Sequence, residues 1–168
     1  MNLKNMLSFY SIEYKFQQVF QLATEIWNDN YKGIISKEQI DYMFSLMYNP
    51  NKRQQDLDEG YIWEFIKHDD ETVGYLAYLI KRDNRVFLSK IYLKTCKQGK
   101  GLGKKAINRV LSFARTNNCS AVYLTVNKGN TKAIKAYKST GFTITTEQIT
   151  DIGHGYVMDD YVFEYQIN

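Results

Sequence analysis

The chain has 168 residues, 44% of them apolar and 15% aromatic, with a formal net charge of +4. That length and composition suit one folded domain over residues 1–168 with a sizeable core, and they exclude a disordered chain. The apolar run Val73 to Ile80 is too short to cross a membrane, which takes about 20 residues, and Met1 to Asn5 lacks the apolar segment of a signal peptide, so a cytoplasmic protein with no membrane partner is expected.

Tyr14 to Tyr31 reads as an amphipathic helix, with Phe16, Val19, Phe20, Ala23, Ile26 and Trp27 at helical spacing. A first strand before it is left open. Ser36 opens a second helix whose apolar stripe is Ile40, Met43, Phe44 and Met47. Pro50 marks a turn, and the polar stretch that follows to Gly60 is expected as a loop. Three strand-like runs come next: Tyr61 to Lys67, Thr72 to Arg82 and Arg85 to Lys94. Short polar turns separate them, as in an antiparallel meander. Gln98-Gly99-Lys100-Gly101-Leu102-Gly103-Lys104-Lys105 then leads into a helix-like run, Ala106 to Arg115. Ala121 to Asn127 is a compact strand. Asn130 starts a helix that runs to Ser139, with Gly141 as its stop. Phe142 to Thr150 and Tyr156 to Gln166 form a last strand pair. The unit from Arg85 to Asn127 is expected as a right-handed parallel crossover in an otherwise antiparallel sheet. Cys96 and Cys119 have neither metal-type nor redox-type spacing and read as reduced thiols.

Charge divides the chain sharply. Between Asp83 and Glu147 there is no acidic residue, and 13 of the 22 basic residues lie there. The Gly-rich loop sits inside this block, between a strand and a helix. Glycines there expose backbone N–H groups at a helix N-terminus, where the dipole also favours negative charge. A phosphate-bearing ligand follows. A P-loop does not fit, because Lys104 is followed by Lys105 and not by a hydroxyl. A dinucleotide fingerprint fits poorly, since the loop follows a meander and no carboxylate stands about 20 residues on. Nucleic-acid binding by the basic block is the weaker reading.

Gln98, Gly101 and Gly103 fit the pattern Gln/Arg-x-x-Gly-x-Gly/Ala. Asn130, Ala133 and Tyr137, followed by Gly141-Phe142, fit Asn-x-x-Ala-x-x-x-Tyr with a later Gly-Phe. On these residues, in this order, the chain resembles the GNAT superfamily of acetyl-CoA-dependent N-acetyltransferases over about Val73 to Glu164. The resemblance implies an α/β (mixed α+β) fold with a splayed, mostly antiparallel sheet flanked by helices. It implies acetyl-CoA as co-substrate, with the pyrophosphate on the N–H groups of Gly99, Lys100, Gly101, Leu102, Gly103 and Lys104. The pantetheine arm would lie along Ile91, Tyr92 and Leu93, and the Leu93 N–H would polarise the thioester carbonyl. Tyr137 would protonate the leaving thiolate. Asn130 would contact the arm or simply cap its helix, Gln98 would touch phosphate or position the loop, and some of Lys128, Lys132 and Lys135 would steer the ribose phosphate. No metal is expected, because the chain has no ligand cluster.

The acceptor side is less determined. Many proteins of this resemblance carry a carboxylate on the strand before the loop, but Arg85 to Lys94 holds only Ser89. The candidates for a general base are Glu64, Asp159, Asp160, His154 and a water relay, and Asp160 is carried forward. The acceptor groove would hold Trp27, Tyr31, Asp56, Asp58, Glu59, Glu64, Tyr156 and Asp160. Acids among aromatics would suit a primary amine of a small cationic molecule, polyamine-like or other. A protein N-terminus or lysine is the competing acceptor, and a non-catalytic acyl-CoA sensor the competing function. Dimers are common among proteins of this resemblance, so a homodimer is compatible.

Overall fold

The computed structural model describes residues 6–12 and 15–168. The chain runs β1 (Leu7–Ser11), α1 (Phe16–Asn30), α2 (Lys37–Met47), α3 (Pro50–Asp58), β2 (Ile62–His68), β3 (Glu71–Ile80), β4 (Arg85–Leu93), a 3-10 turn (Thr95–Lys97), α4 (Leu102–Thr116), β5 (Ala121–Asn127), α5 (Thr131–Ser139), β6 (Thr143–Gly153) and β7 (Tyr156–Gln166). The expected start of α1 at Tyr14 lies outside the described residues.

One expectation is corrected. The polar stretch after Pro50 is a helix, α3, and not a loop. Asn49 caps it, its side chain accepting from the Lys52 N–H at 2.9 Å, and Pro50 occupies the first turn, where its missing N–H costs nothing. Pairs at i, i+4 support this polar helix: Lys52 with Asp56, Gln54 with Asp58, and Gln55 with Glu59. Only Asp56 of this helix is buried.

The seven strands form one sheet in the order β1-β2-β3-β4-β5-β7-β6. Every pairing is antiparallel except β4 with β5. That parallel pairing lasts for three residue pairs, Arg85–Ala121 to Phe87–Tyr123. Beyond them β4 runs on with β3 and β5 runs on with β7, so the sheet splays.

Both faces of the sheet are covered. On one, α4 lays Ala106, Ile107, Val110, Leu111 and Ala114 onto Ile66, Leu76, Tyr78, Val86 and Leu88, and Tyr137, Phe142 and Phe163 extend that core. On the other, α1 and α2 bury Val19, Ala23, Ile26, Trp27, Ile40 and Met43 against Trp63, Phe65, Tyr75 and Ala77. A bulge in β4 links the two faces. Leu88 pairs with Tyr78 and Lys90 with Ala77, which leaves Ser89 over. Leu88 therefore packs under α4, while Lys90 and Tyr92 turn toward α1 and α2.

Gly74 marks where β3 and β4 approach most closely, because a Cβ there would stand 2.1 Å from the Tyr92 carbonyl oxygen. Gly74→Ala is expected to destabilise the fold by about 2–3 kcal/mol, as overpacking does. Chemical denaturation of the two proteins measures the difference.

Candidate active site

A cavity of about 600 Å³ occupies the splay. It passes from Gly103, Ile107, Ala133 and Tyr137 on the α4 and α5 side to Trp27, Tyr31, Met43 and Met47 on the α1 and α2 side. The edge of β4 faces it. The Lys94 N–H donates to the Val73 carbonyl at 2.9 Å. By antiparallel alternation Tyr92 also bonds to β3, so Ile91 and Leu93 turn their N–H and C=O groups the other way, toward the gap left by β5. The expected edge is thus Ile91 and Leu93. Tyr92 contributes its side chain to the lining but not its backbone.

The Gly-rich loop lies at the end of this edge. Gly99 and Gly101 have φ of +75° and +76°, a region costly for other residues. Gly101 begins α4 without a side-chain cap. The first helical N–H with an intrahelical partner is that of Lys105, bonded to the Gly101 carbonyl at 3.1 Å. The turn at Gln98–Gly99 closes on the Lys100 N–H, and among the described residues no hydrogen bond takes the N–H groups of Gly99, Gly101, Leu102, Gly103 and Lys104. These donors fit an anionic ligand. The Leu102 side chain is core, and the side chains of Lys100 and Lys104 point to solvent, so these residues serve through backbone alone. Gln98 clamps the loop: its amide donates to the Leu93 carbonyl and to Asn30 Oδ1, each at 3.0 Å. Of its two expected roles, the observed contacts are those of positioning.

The basic block is partly neutralised. Lys94 and Lys97 pair with Glu71, Lys128 with Glu147 and Asp159, and Arg109 with Glu64. Among the described residues, Lys100, Lys104, Lys105, Lys132 and Lys135 form no ion pair; they lie in the Gly-rich loop and the first halves of α4 and α5, and Lys132 lines the cavity.

Asn130 caps α5, accepting from the Ala133 N–H at 3.1 Å, and also lines the cavity. Tyr137 reaches the cavity from the middle of α5, packed between Phe142 and Phe163 and 9% exposed. Burial, then the nearby Tyr31, push its phenol well above the usual tyrosine range. It stays protonated at neutral pH, as a proton donor must.

On the opposite wall Tyr31 and Tyr92 share a hydrogen bond at 3.1 Å, and both rings pack on Trp27. Asp160 lines the cavity from β7, opposite Asn127 of β5, and is 2% exposed. Burial first, and then Asp159, push its carboxyl up to about 6, with Lys128 opposing. A buried carboxylate poised near neutral pH is what a general base requires.

Several expected acceptor-side residues stand elsewhere. Glu64 faces α4, away from the cavity, with Arg109 at 2.7 Å and the Tyr78 hydroxyl at 3.0 Å. The period of two along β2 sends its neighbour Trp63 to the α1 and α2 face instead. Tyr156 packs on Tyr42 at the hairpin and does not line the cavity. His154 is an exposed turn residue with φ of +53°, and Asp159 is paired with Lys128 at 2.7 Å. Asp56 is buried against Lys52, while Asp58 and Glu59 are exposed and outside the lining. The acid-rich groove is therefore not present. Asp160 is the one carboxylate among the described lining residues, which also include Lys52, Lys90 and Lys132. Sequence reasoning missed Lys90. Its signal is a lysine within an apolar strand run, and only the bulge at Ser89 turns it inward.

Among the described residues, no group of three His, Cys, Asp or Glu is placed to hold a metal ion, and no helix is long and apolar enough to cross a membrane.

Residues 16–142 match the model of the acetyltransferase (GNAT) family, and the chain belongs to that family. It is similar to an uncharacterized N-acetyltransferase of Mycobacterium tuberculosis, 37% identical over 97 residues, or 57% of this chain and 61% of that one. It is also similar to the spermine/spermidine N(1)-acetyltransferase of Bacillus subtilis, 28% identical over 88 residues, 48% of this chain and 58% of that one. The match thus spans about three-fifths of the length of these curated relatives. Among solved structures, the PaiA N-acetyltransferase of Thermoplasma acidophilum in complex with coenzyme A has the same fold. The TM-score is 0.78 at 21% identity, over 96% of this chain and 99% of that one.

Ionised Asp160 is disfavoured by the fold, because its folded pKa stands above the ordinary aspartate value of 3.8. Stability is then lost as pH rises through that interval. Asp160→Asn is expected to raise Tm at about pH 8, and the gain should vanish as pH falls toward about 4. Thermal unfolding across pH measures it.

Proposed function

We propose that the whole chain acts as one N-acetyltransferase domain, moving the acetyl group of acetyl-CoA to a primary amine of a small molecule by direct attack in a ternary complex. The observation that carries this reading is the cavity through the splay. It opens onto the free strand edge and the loop glycines Gly99 and Gly103 on one side, and onto Asp160 and Tyr31 on the other. A volume near 600 Å³ suits the end of a pantetheine arm and a small acceptor. The name of the Bacillus subtilis relative supports a small-molecule amine. The lining, with one carboxylate and three lysines, supports an amine without requiring a polycation.

In this reading the phosphates of the donor rest on the N–H groups of Gly99 to Lys104, and its arm continues the sheet along Ile91 and Leu93. An ammonium entering from the α1 and α2 side gives its proton to Asp160. The free amine attacks the thioester carbonyl, whose developing negative charge meets the Leu93 N–H. As the carbon–sulfur bond breaks, Tyr137 supplies a proton to the thiolate. The second proton of the attacking nitrogen passes through water to the Tyr137 phenolate, Asp160 releases its proton to solvent, and acetylated amine and coenzyme A leave.

With a panel of small amines and lysine-containing peptides, release of free thiol from acetyl-CoA is expected for the small amines. Turnover of peptides alone would overturn the reading. Tyr137→Phe is expected to lower kcat about 100-fold while coenzyme A affinity is kept. The kcat/KM of the native chain is expected to fall about tenfold per pH unit below about 6, where Asp160 takes up its proton.

A further inference from the structure

Lys90 is the least explained group in the cavity. It is 6% exposed and lines the cavity from β4. Its ammonium lies 5.0 Å from the Trp63 ring centre and 5.9 Å from that of Tyr48. Its one hydrogen bond among the described residues is to Ser89 Oγ, a long one at 3.3 Å, and it forms no ion pair there. A buried ammonium without a carboxylate is strongly unfavourable unless something else satisfies it. The nearest acid in effect, Asp56, is already paired with Lys52. Burial lowers the Lys90 ammonium to about 8, which leaves it charged at neutral pH. The Ser89 hydroxyl stands beside that of Tyr61, and both residues line the same part of the cavity. One cation and two hydroxyls thus converge on the cavity, while the nearest anion, Asp56, is paired with Lys52 and stands outside the lining.

We propose that the acceptor carries a carboxylate as well as its primary amine, and that Lys90, with the hydroxyls of Ser89 and Tyr61, binds that carboxylate. This rests on the proposed acetyl transfer to a small amine and names the class of that amine. A monoanion fits better than a phosphate dianion, because Lys52 is neutralised by Asp56 and, beside Ser89 and Tyr61, Lys90 is the one cation left without a carboxylate among the described residues. Two charges of opposite sign, Asp160 and Lys90, then meet the two ends of a zwitterion. Spacing sets the length. Lys90 lies three residues before Leu93, about 10 Å along an extended strand. The amine and carboxylate are therefore separated by several methylenes, as in the side-chain amine of a basic amino acid or in an ω-amino acid.

The test compares 6-aminohexanoate, 6-aminohexanamide and 1,6-diaminohexane, which share one amine and differ only at the far end. For the native protein, kcat/KM for the carboxylate is expected to exceed that for the amide at least tenfold, and that for the diamine further. Lys90→Met should bring the carboxylate-to-amide ratio close to one, mainly through KM. That variant replaces a buried charge by an apolar chain of similar length, so its Tm should not fall; Lys90→Gln serves as a second variant. Turnover of all three amines without a carboxylate preference would overturn the role of Lys90 and leave the acetyl-transfer reading standing. Binding of 6-acetamidohexanoate, the expected product, is read separately by titration calorimetry. Tight binding that Lys90→Met abolishes, with no amine turned over, would support the carboxylate site and remove the acetyl-transfer reading. Absence of both turnover and binding would overturn both.

Discussion

The organising constraint of this fold is a row of hydrogen bonds that the sheet does not make. Strands β4 and β5 pair over three residues and then part. Backbone donors and acceptors inside a protein need partners. Here the missing partner strand is replaced by space for a ligand. The edge at Ile91 and Leu93, the loop donors beyond it and the cavity all follow from that divergence. The bulge at Ser89 sits just where the strands separate, and it decides which β4 side chains enter the cavity.

The two sides of the cavity are built by different physics. The donor side is backbone: positive-φ glycines, unpaired N–H groups and a helix start. The side proposed for the acceptor is side chains: aromatic hydroxyls, the Asp160 carboxylate and the Lys90 ammonium, each shifted by burial. Backbone recognition tolerates change in the surrounding residues, whereas side-chain recognition can be altered by a single substitution. In the proposed function, selectivity for the acceptor falls to the α1 and α2 side.

The geometry of the Gly-rich loop and of α5 was legible in the sequence because its determinants are local. Glycines at 99, 101 and 103 between a strand and a helix announce their own geometry, and Asn130 with Tyr137 lies one cap and two turns along a single helix. The strand order after Tyr61 was also readable, since short turns force neighbours to pair. The acceptor side depends on which way a strand residue faces, and that is set by register. Glu64 was expected at the cavity, but the sheet pleat directs it to Arg109 under α4. Lys90 was invisible because a bulge, not the period of two, turns it inward. Helix α3 was missed because its stability comes from an Asn–Pro start and polar i, i+4 pairs, with almost no apolar stripe to reveal it. Asp160 was one acid among several until burial separated it from Asp159.

Gln98 has a consequence beyond holding a loop. Its single amide touches the end of β4 and, through Asn30, the last turn of α1. Tyr31, the next residue, is hydrogen-bonded back to Tyr92 on β4. The Gly-rich loop and the wall at Tyr31 and Tyr92 are thus joined through that amide. The two halves of the cleft are tied to one another by side-chain hydrogen bonds and not only by the sheet they share.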